Sequence, residues 1–134
     1  MSRNRDLLPL GVLLLAMLPV FRDAQGGQWA PITDEVEFQC DKGSTTWGYS
    51  VYVTGNRAEL GSWDPATAVK LAPRPAPNNT TWTGKVLFQN PDEKVPVEWK
   101  CIVRKENDPT DVKWQPGPNN TLMLIFRTKS IGTF

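Results

Sequence analysis

Two segments, EVEFQC (35–40) and VEWKCIV (97–103), alternate apolar and polar side chains with a period of two, and each sets a cysteine on its apolar face. Val36, Phe38 and Cys40 form one inward row and Val97, Trp99, Cys101 and Val103 the other, with Glu35, Glu37, Gln39, Glu98, Lys100 and Ile102 facing outward. A helix would scatter these rows around its circumference, whereas a half-buried strand gathers each on one face. Further short strands are predicted at YSVYVTG (49–55), AVKLA (68–72), TWTGKVLF (81–88), DVKW (111–114) and TLMLIFR (121–127), separated by Gly, Pro, Asn and Asp. The expected fold is all-β: an antiparallel sandwich or distorted barrel of seven to eight strands, immunoglobulin-like in its layout.

The first 26 residues follow different rules. Arg3 and Arg5 precede an apolar stretch from Leu7 to Phe21, and small residues close the segment at Ala24 and Gly26. That order is the pattern of a secretory signal peptide, and the stretch, broken by Pro9 and Pro19, is short of the roughly 20 residues a membrane span needs. The expected organisation is a leader at 1–26, a linker at 27–34 and one domain at 35–134, exported to the periplasm or the exterior, with an uncleaved anchor as the alternative. The roughly 108 residues after the leader suffice for a single core. In an oxidising compartment the two cysteines, Cys40 and Cys101, favour a disulfide, with two buried thiols as the alternative.

Removing the leader takes away Arg3, Arg5, Arg22, Asp6 and Asp23 and leaves acidic and basic side chains equal in number. A balanced surface gives no electrostatic footprint for nucleic acid or an anionic membrane, so a neutral partner is expected. The chain has no histidine, which excludes Ser-His and Cys-His nucleophile pairs, and two thiols alone make no zinc site. No metal or cofactor is expected. Glu59, Asp64, Glu98, Glu106, Asp108 and Asp111 fall in turns or on outward strand positions, where solvated surface is a simpler reading than a glycosidase carboxylate pair. Three N-x-Thr sequons, at Asn78, Asn79 and Asn119, mark surface loops.

The aromatic residues carry more information. Of six tryptophans, five (47, 63, 82, 99 and 114) lie in the predicted sandwich. Trp82 and Trp99 fit inward strand parity and belong to the core. Trp47, Trp63 and Trp114 border turns at TTWGYS, GSWDPA and VKWQPGPNN. Alternation alone puts Trp114 on the face of Val112, but Pro116 ends the strand almost at once and releases it from that parity.

The run SVYVTGNRAELGSWDPATAVKL, then WTG, VEWKCIVRK and VKWQPGPNNT, in that order, resembles the starch-binding domain, the family 20 carbohydrate-binding module found at the C-terminus of many amylases and glucoamylases. The resemblance runs from about Val36 to the C-terminus. It implies an eight-stranded sandwich that is non-catalytic and binds α-1,4-glucans such as starch, glycogen and cyclodextrin. Carried over by position, the family's stacking tryptophans match Trp63 and Trp114, its strand lysine matches Lys100 and its loop amide matches Asn119. The position of an acidic residue after the second tryptophan holds Gln115. For a second site, Trp47 occupies an aromatic position, while the loop expected to supply its partner ring, RPAPNNTT (74–81), has no aromatic residue.

The chemistry of glucose agrees with these residue types. The sugar offers apolar C–H faces and hydroxyl edges, which call for flat rings and for amide or ammonium groups. Covering about 100 Å² per ring at about 25 cal/mol per Å² gives about 2.5 kcal/mol, against an association cost of at least about 4 kcal/mol. One indole is therefore too little. Two indoles and a few hydrogen bonds reach micromolar to millimolar affinity, about −4 to −8 kcal/mol. Three functions follow: a glucan binder working as a monomer, beside a separate amylolytic enzyme or alone; a protein-interaction module using the exposed indoles as hot spots; or a small α-glucan hydrolase. The first is expected and the second is its alternative.

Overall fold

The computed structural model describes residues 33–89, 95–124 and 129–134, so the predicted leader at 1–26 and nearly all of the linker lie outside the described residues. Nine short strands follow in order: β1 (Thr33–Asp41), β2 (Tyr49–Gly55), β3 (Val69–Lys70), β4 (Ala72–Pro73), β5 (Trp82–Gln89), β6 (Val97–Lys105), β7 (Asp108–Trp114), β8 (Asn120–Leu122) and β9 (Lys129–Thr133). Two 3-10 turns, Ala58–Leu60 and Pro65–Thr67, interrupt the connection from β2 to β3.

The strands form two sheets. One has the order β4-β5-β1-β9, and the other β3-β2-β6-β7, with β8 also paired to β6. Because β2 occupies one edge of β6 along its whole pairing length, β7 and β8 succeed one another along the opposite edge, joined by residues 115–119.

The core lies where the predicted inward rows meet. Val36, Phe38 and Cys40 of β1 face Val97, Trp99 and Cys101 of β6, and all six are buried. The Phe38 ring meets Trp99 edge-on at 4.8 Å and lies 6.1 Å from Phe88. Both core indoles satisfy their single donor: Trp82 Nε1 donates to the Gly43 carbonyl at 2.8 Å and Trp99 Nε1 to Ser130 Oγ at 3.0 Å. Cys40 and Cys101 form a disulfide that joins the two sheets.

Three details differ from the sequence expectations. The sandwich is not wholly antiparallel, because β9, an unpredicted strand, runs parallel to β1. AVKLA is not one strand: Val69–Lys70 pairs with β2 and Ala72–Pro73 with β5, so the chain changes sheets at the buried Leu71. In TLMLIFR only the start is a described strand, Asn120–Leu122 in β8, and residues 125–128 lie outside the described residues.

The parity of β6 also needs correction. Ile102, expected to face solvent, is fully buried on the outer face of its sheet, and Tyr52 and Arg104 on the same face are largely buried. Tyr52 pairs with Ile102, and Arg104, two residues further along β6, reaches the Pro65 carbonyl in the segment connecting β2 to β3. A sheet covered on both faces tolerates apolar residues at consecutive positions, and β2 is buried from Ser50 through Gly55.

Candidate functional site

The last residue of β2 is Gly55, where a Cβ would stand 2.3 Å from the Glu98 carbonyl oxygen and no side chain fits. The chain then turns through Ala58–Leu60, buries Leu60 and fixes that residue's carbonyl with a hydrogen bond from Thr54 Oγ1 at 3.0 Å. Gly61 follows at φ 79°, with Ser62 at 51° and Trp63 at 66°. Three consecutive left-handed residues, two of them with side chains, are energetically unfavourable, by about 1–2 kcal/mol for each non-glycine. Hydrogen bonds maintain the conformation. Trp63 N donates to Gly55 O at 2.8 Å and Asp64 N to Gly61 O at 2.9 Å. Thr67 Oγ1 donates to Gly61 O at 2.9 Å, and Asp64 caps the second 3-10 turn by accepting from Ala66 N at 2.9 Å.

This turn delivers the Trp63 ring to Trp114, the last residue of β7, which pairs directly with Ile102 of β6. The ring centroids are 6.4 Å apart and the planes are tilted by 46°. Trp114 is 40% exposed and Trp63 is half-buried, so both residues keep open surface. Among the described residues no group of three or more His, Cys, Asp or Glu side chains stands close enough to hold a metal ion.

The polar candidates divide into two kinds. Lys100 Nζ donates to the Gln115 carbonyl at 2.8 Å, to the Gly117 carbonyl, and to the Pro118 carbonyl at 3.4 Å. Its three donors are thus aimed at the loop after Trp114. Gln115 is only 7% exposed. Its Oε1 accepts from Cys101 N at 2.9 Å and from Asn120 Nδ2 at 2.9 Å, and its Nε2 donates to Asn120 Oδ1 at 3.0 Å. The polar atoms of the Gln115 side chain are engaged inside the fold, because a buried amide must find partners there. Gly132 makes room for the amide pair, since a Cβ there would stand 2.6 Å from Asn120 Nδ2 and 3.1 Å from Cys101 Sγ. Asn119, by contrast, is exposed, and its Nδ2 donates to Glu98 Oε1 at 3.0 Å.

Trp47 stands apart from this pair, 99% exposed on the loop between β1 and β2. It lines a groove of about 430 Å³ with Gly48, Tyr49, Lys105, Glu106 and Asn107. The Tyr49 hydroxyl donates to Asp111 at 2.5 Å, and that bond raises the phenol's pKa above its ordinary value. Glu106 is held below the usual carboxylate range by hydrogen bonds from Ser50 and then Lys70. The groove is bounded by the β6–β7 turn rather than by residues 74–81, a neighbourhood that strand parity could not reveal. Sequence reasoning also missed Tyr52, Ile102 and Arg104, the residues under the Trp63 segment. The unbroken burial-prone run SVYV was the available signal.

The sandwich thus holds two tilted, half-open indoles near the exposed Asn119 amide. Residues 33–132 match the starch binding domain family, and the chain belongs to that family, a non-catalytic glucan-binding module. It is 42% identical over 100 residues to a glucan 1,4-alpha-maltotetraohydrolase of Roseateles saccharophilus, covering 74% of this chain and 17% of that protein. A cyclomaltodextrin glucanotransferase of Klebsiella oxytoca is 41% identical over 91 residues, covering 67% and 13% of the two chains. The chain therefore spans less than a fifth of the length of these relatives. Among solved structures, the family 20 module of the maltotetraose-forming amylase from Pseudomonas saccharophila STB07 superposes with a TM-score of 0.64 at 40% identity, covering 75% of this chain and 99% of that one. The family 15 glucoamylase from Hypocrea jecorina gives 0.63 at 27% identity, covering 92% and 19%.

Proposed function

We propose that the domain binds α-1,4-glucans by stacking sugar faces on Trp63 and Trp114, without hydrolysing them. The observation that carries this reading is the pair itself, 6.4 Å between centroids and tilted by 46°. A tilted pair matches the curvature of an α-linked chain, whose successive glucose faces turn, better than it matches a flat β-linked ribbon. Asn119 and Glu98 stand exposed or half-exposed beside the loop that follows Trp114 and suit hydroxyl edges. Lys100 and Gln115 act on the ligand through the loop they hold.

The Trp47 groove provides a second, weaker contact, with one indole in place of two. The signal-like pattern at the N-terminus supports an exported protein that works on starch-like polymer. The amylolytic names of the relatives support the same substrate class.

Sedimentation with insoluble starch tests the reading. The wild-type protein should be depleted from the supernatant, and the Trp63→Ala/Trp114→Ala variant should stay in it. Equal retention of both in the supernatant would favour a protein ligand for the same indoles.

A further inference from the structure

Arg104 is a buried cation whose neighbours explain neither the fold's core nor the ring pair by themselves. It lies on the outer face of β6, opposite Ser50 on β2 and Val112 on β7, and is 9% exposed. Its guanidinium carbon sits 4.2 Å from the centre of the Tyr52 ring. Each of its three nitrogens donates to a backbone carbonyl: Nε to Lys105 at 3.0 Å, Nη1 to Pro65 at 2.9 Å and Nη2 to Glu106 at 2.7 Å. Among the described residues it forms no ion pair within 4.0 Å, although the Glu106 and Asp108 carboxylates lie near enough to feel its charge.

Burying a cation without a close ion pair is unfavourable, and a well-packed apolar side chain at such a place is often the more stable choice. An arginine here does something that an apolar residue does not: its rigid fork fixes three carbonyls at once. The Pro65 carbonyl is the informative one. It belongs to the turn from Gly61 to Thr67, closed on itself by the bonds among Gly61, Asp64, Ala66 and Thr67. Trp63 lies inside that turn, at a left-handed φ of 66° that it would not hold on its own. The strand bearing Arg104 also pairs with the strand bearing Trp114. A hydrogen bond from Arg104 to Pro65 therefore fixes one indole's turn relative to the other indole's strand.

We infer that Arg104 is a positioning residue for the glucan platform: through the Pro65 carbonyl it sets the distance and tilt of Trp63 relative to Trp114. The inference rests on the reading that these two rings bind the glucan. In the full chain, Arg104→Met keeps the aliphatic stem over the sheet and removes the fork. It should weaken β-cyclodextrin binding about tenfold by loosening the preorganised pair. It should also diminish the far-ultraviolet circular dichroism couplet that two coupled indoles produce, a signal that needs no sugar. In a Trp63→Ala background the same substitution should cause no further loss of affinity.

Wild-type affinity and an undiminished couplet in Arg104→Met would overturn the inference, as would an equal loss in the Trp63→Ala background, which would show Arg104 acting elsewhere. Should Arg104→Met not fold, Arg104→Lys decides: it retains one charged donor and should lose about threefold in affinity with a smaller couplet, and wild-type values for both would refute the role. If Trp63→Ala itself binds as wild type does, the glucan reading fails, while the couplet still reports whether Arg104 sets the ring geometry.

Discussion

A tryptophan at φ 66° is held there by its neighbours and not by its own preference. The strain is consistent with a side chain placed for contact with a ligand, and it separates two effects that a single substitution would mix. Trp63→Ala should weaken glucan binding by about 2 to 2.5 kcal/mol, roughly 30- to 70-fold, the value of one stacked ring. Trp63→Gly should bind as poorly yet be about 1 kcal/mol more stable than Trp63→Ala in urea unfolding, because glycine adopts the left-handed region without a Cβ clash. A glycine variant less stable than the alanine one would contradict the left-handed assignment. Gly132 makes the complementary prediction at a distance from the rings. Gly132→Ala pushes a methyl group into Asn120 Nδ2, Gln115 Oε1 and the disulfide sulfur. It should destabilise the fold by about 1–3 kcal/mol and weaken binding by displacing the amide pair that holds the loop after Trp114.

At the scale of elements, the platform consists of two loops fastened to one strand pair. The first loop is tied to the opposite sheet by Arg57 and Glu59. Arg57 Nη2 reaches Glu59 Oε2 at 3.1 Å and the Gln89 carbonyl at 2.7 Å, and Gln89 N donates to Glu59 Oε2 at 2.9 Å. The Arg57 hydrogen bonds, followed by the Gln89 amide, lower the Glu59 pKa from 4.5 to about 2. A carboxylate whose folded pKa is depressed stabilises the fold fully above its unfolded pKa and loses that contribution as pH falls through the folded value. The urea midpoint of the wild type should therefore fall between pH 4.5 and 2 more steeply than that of Glu59→Gln, and parallel slopes would deny Glu59 this role. The second loop, 115–119, hangs on Lys100, so Lys100→Met should weaken β-cyclodextrin binding while leaving strand signals in circular dichroism unchanged. Strand parity made the inward rows of β1 and β6 legible in the sequence, because each row depends only on residues two apart. The burial of Ile102 was not legible because strand parity sees one covered face only, and the engagement of Gln115 was not because its partners, Cys101 N and Asn120, are set by strand pairing that leaves no mark in the sequence pattern.

For the molecule as a whole, the Cys40–Cys101 disulfide closes a loop with a sequence separation of 61 and joins the two sheets. Loop-closure entropy places its contribution at about 4 kcal/mol. Cys40→Ala/Cys101→Ala should lower the thermal midpoint markedly and leave glucan affinity near the wild-type value at temperatures where the variant is folded, since neither ring touches the bridge. The two-sheet architecture and the candidate tryptophans were legible from alternation, turn residues and the multi-block resemblance. The parallel β9 and the Trp47 groove were not, because parallel pairing and loop adjacency leave no periodic trace. The most direct test of the account is titration with β-cyclodextrin while following tryptophan fluorescence. Saturable quenching with a micromolar to millimolar Kd in the wild type, lost in Trp63→Ala and Trp114→Ala and largely kept in Trp47→Ala, is the predicted result. Binding of wild-type strength in the Trp63→Ala/Trp114→Ala variant would contradict it.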